Sequence, residues 1–71
     1  AEAIEFVVTE DSPVTNTTLL ELQLKDNLLV CFISRKGRVF IPTGQDSIQV
    51  GDEVMIVTTH TGFQDITDIL A

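Results

Sequence analysis

Residues 28–42, LLVCFISRKGRVFIP, decide the architecture. Leu28 to Ile33 form a six-residue apolar run, bounded by Asp26 and Asn27 before it and by Ser34, Arg35, Lys36 and Gly37 after it. That length, with Val, Phe and Ile inside it, predicts a strand buried on both faces rather than a helix. Gly37 accepts positive φ without steric penalty, so Arg35, Lys36 and Gly37 read as a hairpin connection into Arg38, Val39, Phe40 and Ile41. The two strands are expected to pair antiparallel.

Downstream, Pro42 lacks a backbone donor and suits a strand end, and residues 43–47, TGQDS, carry the chain round. Ile48, Gln49 and Val50 make a brief extended piece. Gly51 and Asp52 make a tight turn that delivers residues 53–59, EVMIVTT, as a central strand. The closing segment opens with Thr61 and Gln64 at the spacing of a helix-start capping pattern. Phe63, Ile66, Ile69 and Leu70 then share one face, with Asp65 and Asp68 pointing away, which predicts a short amphipathic helix that must pack to persist.

Upstream, residues 4–8, IEFVV, are β-branched and aromatic enough for a strand, closed by turn chemistry at Glu10, Asp11, Ser12 and Pro13. Residues 14–17 form a crossing loop. Thr18 and Glu21 then carry the capping spacing, predicting a short helix that ends near Leu22 or Leu24. The expected order is strand, short helix, three strands, helix. This is an α+β fold with a mainly antiparallel sheet, occupying residues 1–71 as a single domain.

Composition narrows the function. Seventy-one residues allow one domain with a thin core, yet 44% are hydrophobic and the mean hydropathy is +0.28. The apolar segments LLVCFI and VMIV exceed what so small a body shields alone, so a second copy is the expected cover. Eleven acids against four bases give a net charge of −7, which repels nucleic acid and anionic lipid. No run approaches the roughly 18 apolar residues of a membrane span, and AEAIEF lacks a signal segment's basic region. The missing initiator methionine suggests a piece cut from a longer chain.

Chemistry-bearing residues are few. The single Cys31 rules out an internal disulfide framework, fits the cytoplasm, and is expected to be buried and structural within its apolar run. The one histidine, His60, reads as a solvated loop residue, and no acid, base or nucleophile constellation points to an enzyme. Glu10 with Asp11, and Asp52 with Glu53, are adjacent pairs without metal-ligand spacing. No glycine-rich phosphate motif occurs, so the chain itself carries no cofactor site. Three of the four bases fall in SRKGR. The plain reading is a solvated hairpin tip, and the sharper one is a contact for a small anion.

Taken together, AEAIEF, DSPV, LLELQL, LLVCFISRKGRVFIP and IQVGDEVMIV resemble the TrkA C-terminal domain, also called the RCK C-terminal domain. This is the regulatory module of Trk-type bacterial potassium uptake and potassium channel systems. The most specific elements are the spacings from Ile33 and Arg35 through Gly37 and Pro42 to Gly51 and Asp52. The resemblance implies a homodimer that follows a Rossmann-like, nucleotide-binding domain and gates a membrane-embedded potassium transporter subunit from the cytoplasmic face. Where relatives carry glycine and a basic residue after the SPV-like turn, this chain has Asn16, Thr17 and Thr18, and asparagine tolerates positive φ. Some relatives bind cyclic di-AMP between two such domains, and Gln23 and Lys25 hold the nearest positions here. Lys25, Arg35 and Arg38 are the candidate ligand-binding residues for a small anionic ligand. A plain dimerisation or docking module of another membrane carrier, with no ligand of its own, is the alternative.

Overall fold

The computed structural model describes all 71 residues. Four strands form: β1 (Glu2–Val7), β2 (Leu28–Arg35), β3 (Arg38–Phe40) and β4 (Glu53–Thr58). They make one sheet in the order β1-β4-β2-β3 with every pair antiparallel. The expected hairpin is present, Lys36 (φ 52°) and Gly37 (φ 80°) supplying the two positive-φ residues that a two-residue connection between twisted strands requires. The 53–59 segment is central as expected, lying between β1 and β2.

One irregularity sets which side chains face inward. In β2, Val30 pairs with Ile56 and Phe32 with Met55, leaving Cys31 as an extra residue in a β-bulge. Strict alternation would put Val30 and Ile33 on opposite faces. The bulge brings both into the core. Burial on both faces of LLVCFI is therefore not observed: Leu29 is 63% exposed, and Cys31 is half-buried at the bulge rather than sealed inside.

The two predicted helices shrink to turns. At Thr18 half of the capping pattern forms, with Glu21 N donating to Thr18 Oγ1, while Glu21 Oε1 accepts from the Thr18 hydroxyl and not from its backbone N–H; only Leu22 N continues the turn, donating to Thr18 O. One turn is the costly part of a helix, and propagation is what repays it. Here the next residues are diverted instead: Leu24 bridges Leu70, Lys25 N donates to Ile69 O, and Ala71 N donates to Gln23 O.

The closing segment is likewise a 3₁₀ turn, Ile66–Ile69, because Leu70 must return to extended backbone to meet Leu24. Its cap comes from Asp68, whose Oδ2 accepts from Gln64 N at 2.7 Å and Asp65 N at 3.1 Å, and not from Thr61. Asp68 thus stays off the apolar face, as expected, with its carboxylate folded back over the start of the turn. The apolar face holds despite the shorter element, with Ile66 and Ile69 buried and Phe63 and Leu70 packed beside them.

The core lies on one side of the sheet. Val30, Ile33, Val54 and Ile56 point into it from the strands, and Val8, Val14, Ile48, Ile66 and Ile69 cover them from the connections. Ile48 sits outside the sheet: it bridges Thr15, while Ser47 bridges Thr18, so the turn-rich 43–50 segment is tied to the crossing segment. Asn16 takes φ 60° there, in line with the tolerance expected of asparagine. No helix is long and apolar enough to cross a membrane.

Candidate functional site

The site is built on the β2–β3 hairpin. Arg35 is the last residue of β2 and pairs with Arg38 across the connection, which places the two side chains on the same face of adjacent strands. The Arg35 guanidinium also lies 5.2 Å from the centre of the Phe40 ring, a cation–π distance. Arg35, Arg38, Val39 and Phe40 line an open concavity of about 280 Å³.

Arg35 is not a free charge. Its Nε donates to Asp52 Oδ1 at 2.9 Å and its Nη2 to Asp52 Oδ2 at 2.8 Å, a bidentate pair, and Nη2 also donates to Ser47 O at 2.7 Å. Asp52 is 1% exposed on its side chain. Burial alone would push its carboxyl up, but the Arg35 hydrogen bonds, the Gln49 N–H at 2.9 Å and the arginine charge together hold it below the usual carboxylate range. The same pairing raises Arg35 above its ordinary value. A carboxylate removed from water in this way is tolerable only with such a partner. The pair ties β2 to the turn that launches β4, with Gly51 at φ 95° making that turn.

Arg38 is exposed and belongs to no ion pair. Lys25 lies elsewhere. Its Nζ donates to Asp68 O and Leu70 O, each at 2.6 Å, and sits 5.6 Å from the Phe63 ring centre, against the closing turn. The structure therefore brings Arg35 and Arg38 to one surface, and gives Lys25 to a different one. His60 stacks on Phe63, and its Nε2 is 2.8 Å from Asp26 O. A second concavity, of about 180 Å³, is lined by Glu10, Asp11 and Asp65 with Val8, Thr9, Ser12 and Ile66. Those carboxylates make it a poor place for an anion.

Asp52 is the site residue that sequence reasoning missed. It reads as half of a glycine–aspartate turn, and its arginine partner stands 17 positions away. The available signal was an acid wedged between a turn glycine and the most apolar strand, a position that demands a cation.

The site thus sits on a small antiparallel sheet whose hairpin arginine is clamped by the next turn. The model of the TrkA-C domain family matches residues 3–71, and the chain belongs to that family, as the motifs suggested. It is similar to the Trk system potassium uptake protein TrkA homolog of Pyrococcus abyssi, with 35% identity over 71 residues, covering 99% of this chain and 31% of the relative. The protein of the same description from Pyrococcus horikoshii is 32% identical over the same spans. The one from Archaeoglobus fulgidus is 35% identical over 57 residues, 80% of this chain and 13% of that protein. The chain thus spans about a third or less of the length of these curated relatives.

Proposed function

We propose that this domain is a dimerising regulatory unit of a potassium uptake system, which senses a small anionic ligand and biases a membrane-embedded, ion-translocating subunit. The observation that carries it is the family match over nearly the whole chain, together with relatives described as Trk potassium uptake proteins. Placement at the cytoplasmic face, through that partner, is part of the same reading. The nucleotide that the family implies belongs to a preceding domain, and no residue here is assigned to it.

The ligand's place is the concavity beside Arg38. Arg38 supplies the unspent charge, Phe40 an aromatic face, and Arg35 a rigid floor already fixed by Asp52. Lys25 is given a supporting role only, because its ammonium is committed to two carbonyls. A ligand bridging two copies and fitting one arrangement better than another shifts the pair toward that arrangement, and the shift is passed to the attached domains.

A second reading is favoured by one observation: Arg35 and Lys25 are both occupied, leaving Arg38 as the single unengaged member of the three candidates. On that reading the domain docks and pairs without a ligand. Thermal shift over a panel of nucleotides and cyclic dinucleotides separates the two, since a ligand that binds only the folded state raises Tm as its concentration passes Kd. The expected result is a concentration-dependent rise in the wild type that Arg38→Ala loses. A panel that leaves Tm unmoved favours the docking module.

A further inference from the structure

We infer that the uncovered face of the sheet is the surface on which two copies pair, about a two-fold axis running along the strands between β4 and β2. The inference rests on the proposed pairing and names its surface. The sheet has two apolar faces. One is roofed by the crossing and closing segments. The other carries Leu29, Phe32, Met55 and Val57, with Val7 and Val39 at its two edges, and nothing in the chain covers it. Val7, Leu29 and Val39 are 60%, 63% and 67% exposed, and Ile41, two residues beyond Val39, is 81% exposed. Antiparallel sheets that face water normally carry polar residues on that side. This one carries only Glu5, Glu53 and Ser34 among its apolar residues.

The register supplies the reason for choosing a second copy. Across the open face one row reads Val7, Glu53, Ser34, Val39 in the order β1-β4-β2-β3. A two-fold between β4 and β2 reverses that row onto itself. Val7 then meets Val39 of the second copy, and Glu53 meets Ser34 instead of another carboxylate. In the adjacent rows Met55 meets Phe32 and Val57 meets Leu29. A face that pairs with itself must be self-complementary in this sense. Glu5, in the row of Met55 and Phe32, stands at the β1 edge of the face.

Size agrees. Strands about 4.8 Å apart and roughly 20 Å long present about 400 Å² in projection and more as accessible surface. Two such faces approach the ~1,200 Å² at which specific interfaces begin. With a net charge of −7 and only carboxylates as charges on this face, an anionic bilayer is a poorer cover than a second copy.

Sedimentation equilibrium on the 71-residue chain tests the inference. The wild type is expected to dimerise, and Leu29→Lys, at an exposed position, is expected to weaken the dimer at least tenfold with an unchanged circular dichroism spectrum. Leu20→Lys, a 78% exposed leucine on the crossing segment, should leave it unmoved. Val7 and Val39 stand at opposite edges of one chain, so Val7→Lys mixed with Val39→Glu should pair more tightly than either variant alone. A dimer indifferent to Leu29→Lys would keep the pairing but overturn this face. A wild type that stays monomeric overturns both, and if it pellets with phosphatidylcholine vesicles the face belongs to lipid.

Discussion

Asp52 and Arg35 show how one buried charge organises a small domain. With the carboxylate sealed from water, its value lies in being matched, and removing the match leaves an uncompensated charge. Arg35→Ala is expected to cost about 3 kcal/mol in urea denaturation. Replacing both partners together by leucine or methionine should cost far less, because no charge is then stranded. The pH dependence follows from the carboxyl, whose folded value lies below its ordinary 3.8. Its contribution is complete above the unfolded value and disappears as pH falls through the folded one. Wild type should therefore exceed Asp52→Asn in stability at pH 7, and the gap should narrow as pH drops below about 4, where unfolded aspartate protonates. A gap that is constant down to pH 2 would mean that the ionised pair contributes nothing.

At the scale of elements, the strands were legible in the sequence and the helices were not. β2 and β4 announce themselves by β-branched runs between turn residues, and the hairpin by Gly37, whose φ of 80° few other residues accept. The capping signals at Thr18 and Gln64 are local statements about a first turn. Whether a second turn follows is settled by the Leu24–Leu70 bridge, a contact 46 positions apart that no local pattern encodes. The Cys31 bulge is invisible for a related reason, since it serves the register with β4 and not any preference of its own. Of the candidate site, Arg35 and Arg38 were readable from their charge and spacing, while Asp52 required knowing which turn lies beside the hairpin. Two outcomes test these elements. Lys25→Met removes two donors to the closing segment, so amide exchange should accelerate at Lys25 and Ala71, with a loss of about 1–2 kcal/mol. Gly51→Ala meets open space at φ 95°, so its loss, about 1–2 kcal/mol by thermal denaturation, is backbone strain alone.

For the whole molecule, one sheet separates two jobs. Its covered face makes the core, and its uncovered face and hairpin are the surfaces proposed for partners. That division explains why so acidic and short a chain keeps a positive mean hydropathy, +0.28. It also places the arginine concavity at the β3 edge, beside the surface proposed for pairing. On the proposed reading, a ligand that tightens the pair is itself bound more tightly by the pair, by the same factor. The direct test is sedimentation equilibrium of the wild-type chain with and without saturating cyclic dinucleotide or nucleotide, choosing whichever raises Tm most. A dimer dissociation constant at least about five-fold tighter with ligand is the expected result. A constant that does not change on saturation, or a panel in which nothing binds, contradicts a ligand-sensing pair.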